Sequence, residues 1–316
     1  MNIKQQTLLA TVILFIGISA FSQSKDIAIK TFLDHLTPDD FSGTVLVAHN
    51  DKITEKRAYG LASIEHEIKN SVNTKFNIAS IAKMFTAVAI LQLYEQGMLK
   101  LNIPIGEYLP DYPNKLVRDS VTIHQLLSHT SGLNNFYVAD EDKMRNLEYK
   151  KVSDFVPLFV HDTLLSLPGT KYNYSASGFV ILGLIIEKIS GKNYYEYIKV
   201  AILKPTEMFN TSELEVDSTV SNKASGYTSM FGENKVLKKN DYYLTKASPG
   251  GFYYSTITDL FNFSKALGNN ELIKKETTEL MFKPKIKGYN TYIGYGGKKG
   301  ASIVTDFFKE LIANKK

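Results

Sequence analysis

The chain has 316 residues, with 37 lysines and arginines against 32 aspartates and glutamates, a formal net charge of +5, and no cysteine. The missing cysteine excludes disulfides, a thiol nucleophile, thiolate-held zinc and a lipoprotein anchor. The charge is mild and scattered, no basic run interleaved with aromatics marks a nucleic-acid surface, and the length suffices for one large core or two lobes sharing an interface.

Residues 1–22 read as a secretory leader: Lys4 lies in the basic start, Leu8 to Ala20 is apolar, and Ala20-Phe-Ser22 precedes Gln23. The expectation is an exported protein, periplasmic or secreted, whose mature chain begins near Gln23. No later segment approaches the roughly 20 uninterrupted apolar residues of a spanning helix, so no stable membrane anchor is expected.

Gly43-Thr-Val-Leu-Val-Ala48 reads as an apolar strand, His49 to Lys52 as a turn, and Ile53 to Tyr59 as a return strand ending at Gly60, which predicts a hairpin. From Phe76 to about Asn210 helical patterns dominate. They comprise an apolar run from Phe76 to Tyr94 ending at Gly97, Thr122 to Leu127, and Ser177 to Ile189 closed by Ser190-Gly191. Tyr227 to Tyr243 is polar and irregular, Asp259 to Leu267 predicts a short amphipathic helix, and Ile303 to Ile312 predicts a last one. Without a repeat or a low-complexity linker, the lobes are expected to behave as one cooperative unit.

Lys83 is the only formal charge in the run from Phe76 to Tyr94. An ammonium there is costly. Desolvation and the positive end of a helix both push it toward a neutral amine, which can take a proton. The i, i+3 spacing places Lys83 on the same helix face as Ser80, so the amine can activate the hydroxyl as a nucleophile without histidine. The bland alternative makes Ser80 an N-cap and Lys83 a snorkelling side chain. A second Ser-x-x-Lys at Ser22 and Lys25 falls beside the leader cleavage point, so the motif alone is weak. A capping box, however, would prefer Glu or Gln at the Lys83 position.

Four stretches, in order, resemble the serine β-lactamase and penicillin-binding-protein superfamily, and most of all its class C β-lactamase and esterase branch. Phe76-Asn-Ile-Ala-Ser80-Ile-Ala-Lys83 is similar to the nucleophile helix. Val121 to Leu133 resembles the leucine-rich helix and its Ser-Gly turn. Pro168 to Gly183, containing Tyr174-Ser175-Ala176, resembles the second catalytic loop and its helix. Gly250-Gly251-Phe-Tyr-Tyr-Ser-Thr256-Ile-Thr-Asp-Leu260 resembles the Gly-Gly-Leu-x-Ser-Thr-x-x-Asp-Leu segment.

The resemblance implies a mixed α/β (α+β) fold of the β-lactamase/transpeptidase type. A helical lobe, about 76–244, would pack on an antiparallel-sheet lobe, about 23–75 and 245–316. It implies that Ser80 is acylated while Lys83 and Tyr174 share the proton transfers, Tyr174 being suited to this if nearby cations lower its pKa. Ala176, Gly250 and Gly251 would line the substrate site. No cofactor or metal is implied. Expected substrates are β-lactams, D-Ala peptides or small esters, with a non-catalytic relative that binds cell-wall peptides or a protein partner as the alternative.

Two departures qualify the resemblance. Ala176 stands where the family commonly has Asn, and a methyl cannot replace an amide donor. After Gly294-Tyr-Gly-Gly297 the usual third-motif strand is missing and the sheet reads as truncated on its C-terminal side. Lys298-Lys299-Gly300 is the candidate substitute, although Lys299 lacks the hydroxyl. An incomplete sheet would weaken activity and leave an edge inviting self-association. Other readings fail: His124 and His129 are five apart, off one helix face, and read as surface or loop histidines, and no Gly-x-Ser-x-Gly elbow occurs.

Overall fold

The computed structural model of the protein describes residues 27–38, 41–138, 148–213, 220–229, 237–239, 246–287, 292–295 and 297–298. The expected leader, the Ser22/Lys25 pair, Lys299-Gly300 and the expected helix from Ile303 to Ile312 lie outside them. The chain divides into two compact units, one ending at Thr74 and the other beginning at Lys75.

In the first unit, helix α1 (27–35) precedes β1 (Gly43–His49) and β2 (Lys52–Tyr59), which pair antiparallel from Gly43↔Tyr59 to His49↔Lys52. The predicted hairpin turn is tighter than its sequence outline. Asn50 and Asp51 both take positive φ, 47° and 60°, which suits a two-residue turn whose twist matches its strands. Asn and Asp tolerate that region best after glycine. The Tyr59 hydroxyl donates to the Leu33 carbonyl at 2.8 Å and ties α1 to the hairpin. β3 (Leu61–Ser63) and β4 (Ile68–Lys69) form a second small antiparallel pair.

The second unit is built around two helices that are apolar on nearly every side, as expected of central rather than surface helices. In α2 (Lys83–Glu95), Phe85, Ala87, Val88, Ala89, Ile90 and Leu91 are fully buried. Shorter helices α3 (Lys115–Ser120) and α4 (Ile123–Leu127) follow, the latter started by a capping box of Thr122 and Gln125. α5 (Ser177–Ser190) packs on α2 and α4, and its Phe179, Val180, Ile181, Leu182, Ile185 and Ile186 are buried. Each large apolar side chain among these contributes about 1.5–3 kcal/mol on burial, which makes the helix pair a substantial part of the unit's core. Gly191 ends α5 with φ +67°, the left-handed C-cap that its Ser-Gly sequence predicts. α6 (Tyr194–Ile198), β6 (Tyr227–Ser229), β7 (Leu237–Lys239), β8 (Tyr254–Ser255), α7 (Ile257–Gly268) and α8 (Lys275–Phe282) complete most of the unit.

The class is mixed α/β with antiparallel sheets, as expected, but three details differ from the sequence reading. The run from Phe76 is not one helix. Phe76 and Asn77 form β5, paired with Ser255 and Tyr254 of β8, and residues 79–82 form a 3₁₀ turn before α2. Asn77 decides this, because its Oδ1 accepts the Ala79 N–H at 2.9 Å and competes with helix formation. The segment from Tyr227 to Tyr243 is not wholly irregular: Tyr227, Thr228 and Ser229 pair with Lys239, Lys238 and Leu237. Polar strands lack the alternation that betrays a half-buried strand. Among the described residues the strands form several small sheets instead of one, and the last has order β11-β10-β9, from Gly297–Lys298, Tyr292–Gly294 and Ile286–Lys287. Residues 292–294 pair with 297–298, so a short strand pair stands just ahead of the stretch where the third-motif strand is expected to be missing, and that stretch lies outside the described residues.

Candidate active site

The nucleophile turn is held in place by a short antiparallel zip. Beyond the β5/β8 pair, Ile78 N–H donates to the Tyr253 carbonyl at 2.8 Å and Phe252 N–H to the Ala79 carbonyl at 3.2 Å. This register lays Gly250 and Gly251 against residues 79–83. Gly251 has φ +152°, and a Cβ there would meet the Ala79 oxygen at 2.9 Å and the Ser80 nitrogen at 3.6 Å. Only glycine fits that approach without strain.

Thr86 fixes the same turn from below. Its hydroxyl lies 2.7 Å from the Pro249 carbonyl and 2.7 Å from the Tyr194 hydroxyl. Being three residues from Lys83, it shares that residue's helix face. The Gly250 carbonyl is thereby placed over Lys83 and accepts from Nζ at 2.5 Å. α5 makes room with Gly183, where a Cβ would meet Pro249 Cγ at 2.4 Å.

Ser80 and Lys83 come together as their spacing predicts, and Tyr174 joins them as the family resemblance implies. Tyr174 O–H donates to Ser80 Oγ at 2.6 Å, and Lys83 Nζ lies 3.2 Å from the same oxygen. Ser80 is exposed, whereas Lys83 is 1% exposed. Burial lowers the lysine from its usual 10.5 to about 7. Its position as the first residue of α2, at the positive end of the helix, acts in the same direction. A neutral amine keeps N–H bonds for the Gly250 carbonyl and a lone pair for the Ser80 proton. Ser80 is not an N-cap: neither the 3₁₀ turn nor α2 has a side-chain cap.

Tyr174 differs from the expectation that nearby cations lower its pKa. Burial raises the phenol, and the hydrogen bond with Ser80 offsets only part of that. Lys83 Nζ stands 4.9 Å from the ring centroid, but a lysine lowered to about 7 is a weak electrostatic partner. Tyr174 is therefore a neutral donor to Ser80 in the resting site, and Lys83 is the neighbouring group with a lone pair able to accept a proton.

Ala176 is fully buried at the start of α5, and its N–H donates to Asn135 Oδ1 at 3.2 Å. Gly250 is foremost a partner of Lys83 through its carbonyl. Lys298 lies on β11, and Lys299 falls outside the described residues.

Sequence reasoning missed Thr86, Asn135 and above all His129. Read as a surface or loop histidine, His129 is 1% exposed and packs against Tyr174 with ring centroids 4.6 Å apart. Burial, then the nearby Lys83, lowers it to about 3 despite a backbone hydrogen bond with Ser175 that acts the other way. His124 is half-buried and meets the Tyr295 hydroxyl at 2.6 Å. The five-residue spacing keeps the two off one helix face, and His129 sits past the end of α4 in a turn with φ +57°.

The chain as a whole is similar to several known proteins. A penicillin-binding protein from Bacillus halodurans has a crystal structure matching with a TM-score of 0.73 and 32% identity, over 82% of this chain and 81% of that one. Putative penicillin-binding protein PbpX of Bacillus subtilis (strain 168) is 29% identical over 287 residues, 87% of this chain and 68% of that protein. Protein flp of Staphylococcus aureus (strain N315) is 30% identical over 224 residues, and this chain spans less than half, 44%, of its length. Residues 37–300, most of the chain, match the Beta-lactamase family, and the chain therefore belongs to the β-lactamase family of serine hydrolases.

Proposed function

We propose that the protein is an exported hydrolase that works through an acyl-enzyme on Ser80, with β-lactams, D-Ala peptides or small esters as substrates. One observation carries the reading: Ser80 Oγ is shared between a neutral phenol at 2.6 Å and a buried amine at 3.2 Å. As Oγ attacks the carbonyl carbon, its proton passes to the Lys83 lone pair. The C–N or C–O bond then breaks, and the leaving group takes the proton of Tyr174. Proton return from Lys83 restores the phenol, and water hydrolyses the ester on Ser80.

The first turn of a helix leaves its N–H groups without intrahelical acceptors, so the Ser80 N–H is available to a developing oxyanion. One such donor is typically worth about 10²–10³ in rate. Ala176 provides no amide for a substrate's side-chain carbonyl, which favours small esters over acylamino peptides. The test is covalent labelling: purified protein is incubated with a fluorescent fluorophosphonate or penicillin, and the expected result is an adduct absent from Ser80→Ala. An unlabelled wild-type protein would support the non-catalytic alternative instead.

A further inference from the structure

His129 is surrounded by the machinery yet has no part in the proton transfers. Its backbone is left-handed, φ +57°, a conformation that non-glycine residues adopt sparingly and that clusters at functional sites. This turn aims two acceptors at one short stretch of chain. The His129 carbonyl accepts the Asn173 N–H at 2.8 Å, and Nδ1 accepts the Ser175 N–H at 3.2 Å. The two residues gripped are the neighbours of Tyr174 on either side. The ring lies 4.6 Å from the Tyr174 ring at 32° and 5.2 Å from Phe179 at 33°, while Tyr172 meets it edge-on at 6.0 Å.

We propose that His129 is a positioning residue that holds the Tyr174 phenol on Ser80 Oγ, by bracketing the tyrosine backbone on both sides and packing against its ring. The proposal rests on the acyl-enzyme reading and names what sets its geometry.

The chemistry explains the residue type. Phenylalanine would fill the space but accept no N–H from Ser175. Asparagine would accept and tolerate positive φ but offers no ring. Accepting at Nδ1 requires a neutral imidazole with its proton on Nε2. That atom is buried without a hydrogen-bond partner among the described residues. Such a donor is costly to bury, and its retention beside Tyr174 speaks for a role other than stability. Among the described residues, the side chains facing the ring are Lys83, Tyr172, Tyr174 and Phe179, with no carboxylate that would stabilise imidazolium. The bracket therefore stays intact through the neutral range.

The test is a double-mutant cycle on the rate of Ser80 labelling by a fluorophosphonate, resolved into reagent affinity and maximal rate. His129→Ala is expected to lower the maximal rate about 10²-fold, the cost of a displacement of about 1 Å in a catalytic group, with affinity little changed. His129→Asn, which keeps the acceptor and the backbone turn, should recover part of it. In a Tyr174→Phe background the His129→Ala loss should vanish, because the residue acts through the phenol. An equal loss in both backgrounds, or no loss in either, overturns the proposal. If wild-type Ser80 does not label at all, the acyl-enzyme reading fails, and positioning is read by 3-fluorotyrosine NMR. The Tyr174 resonance, identified by its absence in Tyr174→Phe, should then shift in His129→Asn. An unmoved resonance overturns the inference independently of activity.

Discussion

Replacing Lys83 by methionine tests the neutral-amine argument through stability alone, without any substrate. Methionine approximates the lysine stem in volume and carries no charge. In the native protein Lys83 falls from 10.5 to about 7 because burial penalises the ammonium. Between these values the unfolded chain holds a proton that the folded chain does not, so native stability rises with pH across this window. Below about pH 7 both states are protonated and the full penalty applies; above 10.5 neither is and the penalty is gone.

At roughly 1.4 kcal/mol for each tenfold change in proton affinity, the penalty below pH 7 is about 5 kcal/mol. Lys83→Met removes it but leaves the Gly250 carbonyl without its donor, a cost of about 1–3 kcal/mol that does not vary with pH. The variant should therefore be the more stable protein near neutrality, and wild type should gain on it by about 3 kcal/mol between about pH 7 and 9.5. Urea denaturation of both proteins over that range measures the difference, in which the titrating groups that do not feel Lys83 cancel. Parallel curves would refute the reasoning and mean that Lys83 keeps an ordinary pKa and is a cation in the folded site.

Lys83→Arg should label at Ser80 as poorly as Lys83→Ala, because a guanidinium cannot take a proton; labelling at the wild-type rate would reduce the lysine to an electrostatic role. Gly251→Ala should cost about 1–3 kcal/mol in denaturation, since its φ of +152° is foreign to alanine and the new Cβ would press on the Ala79 carbonyl at 2.9 Å. Asp259, 2% exposed, accepts from Asn210 N–H and the Thr211 hydroxyl at 2.8 Å each and from the Thr256 hydroxyl at 3.0 Å. Asp259→Ala strands these donors and should lower stability by roughly 3 kcal/mol or more, whereas Asp259→Asn, keeping one acceptor oxygen, should lose less.

The central helices were legible in the sequence because their signal is local. An apolar run with one lysine, a helical pattern from Thr122 and a Ser-Gly terminator each depend on residues within a few positions; α4 and α5 stand where those signals place them, and α2 takes up the apolar run only from Lys83 onward. The Ser80–Lys83 pair was legible for the same reason: three residues of spacing fix a shared face even though the turn at Ser80 is 3₁₀. What the sequence could not decide is what arrives from far along the chain. Gly250 meets Lys83 across 167 residues and Tyr174 meets Ser80 across 94. Those encounters depend on the β5/β8 register and the packing of α5. Asn77 likewise turns an apolar run into a strand because Tyr254 and Ser255 are there to pair with it. His129 is the clearest case, since a histidine in a Ser-His-Thr-Ser-Gly turn carries no mark of burial. Its neutrality follows from the protein closing over it, and desolvation is a property of the assembled core rather than of neighbours in sequence.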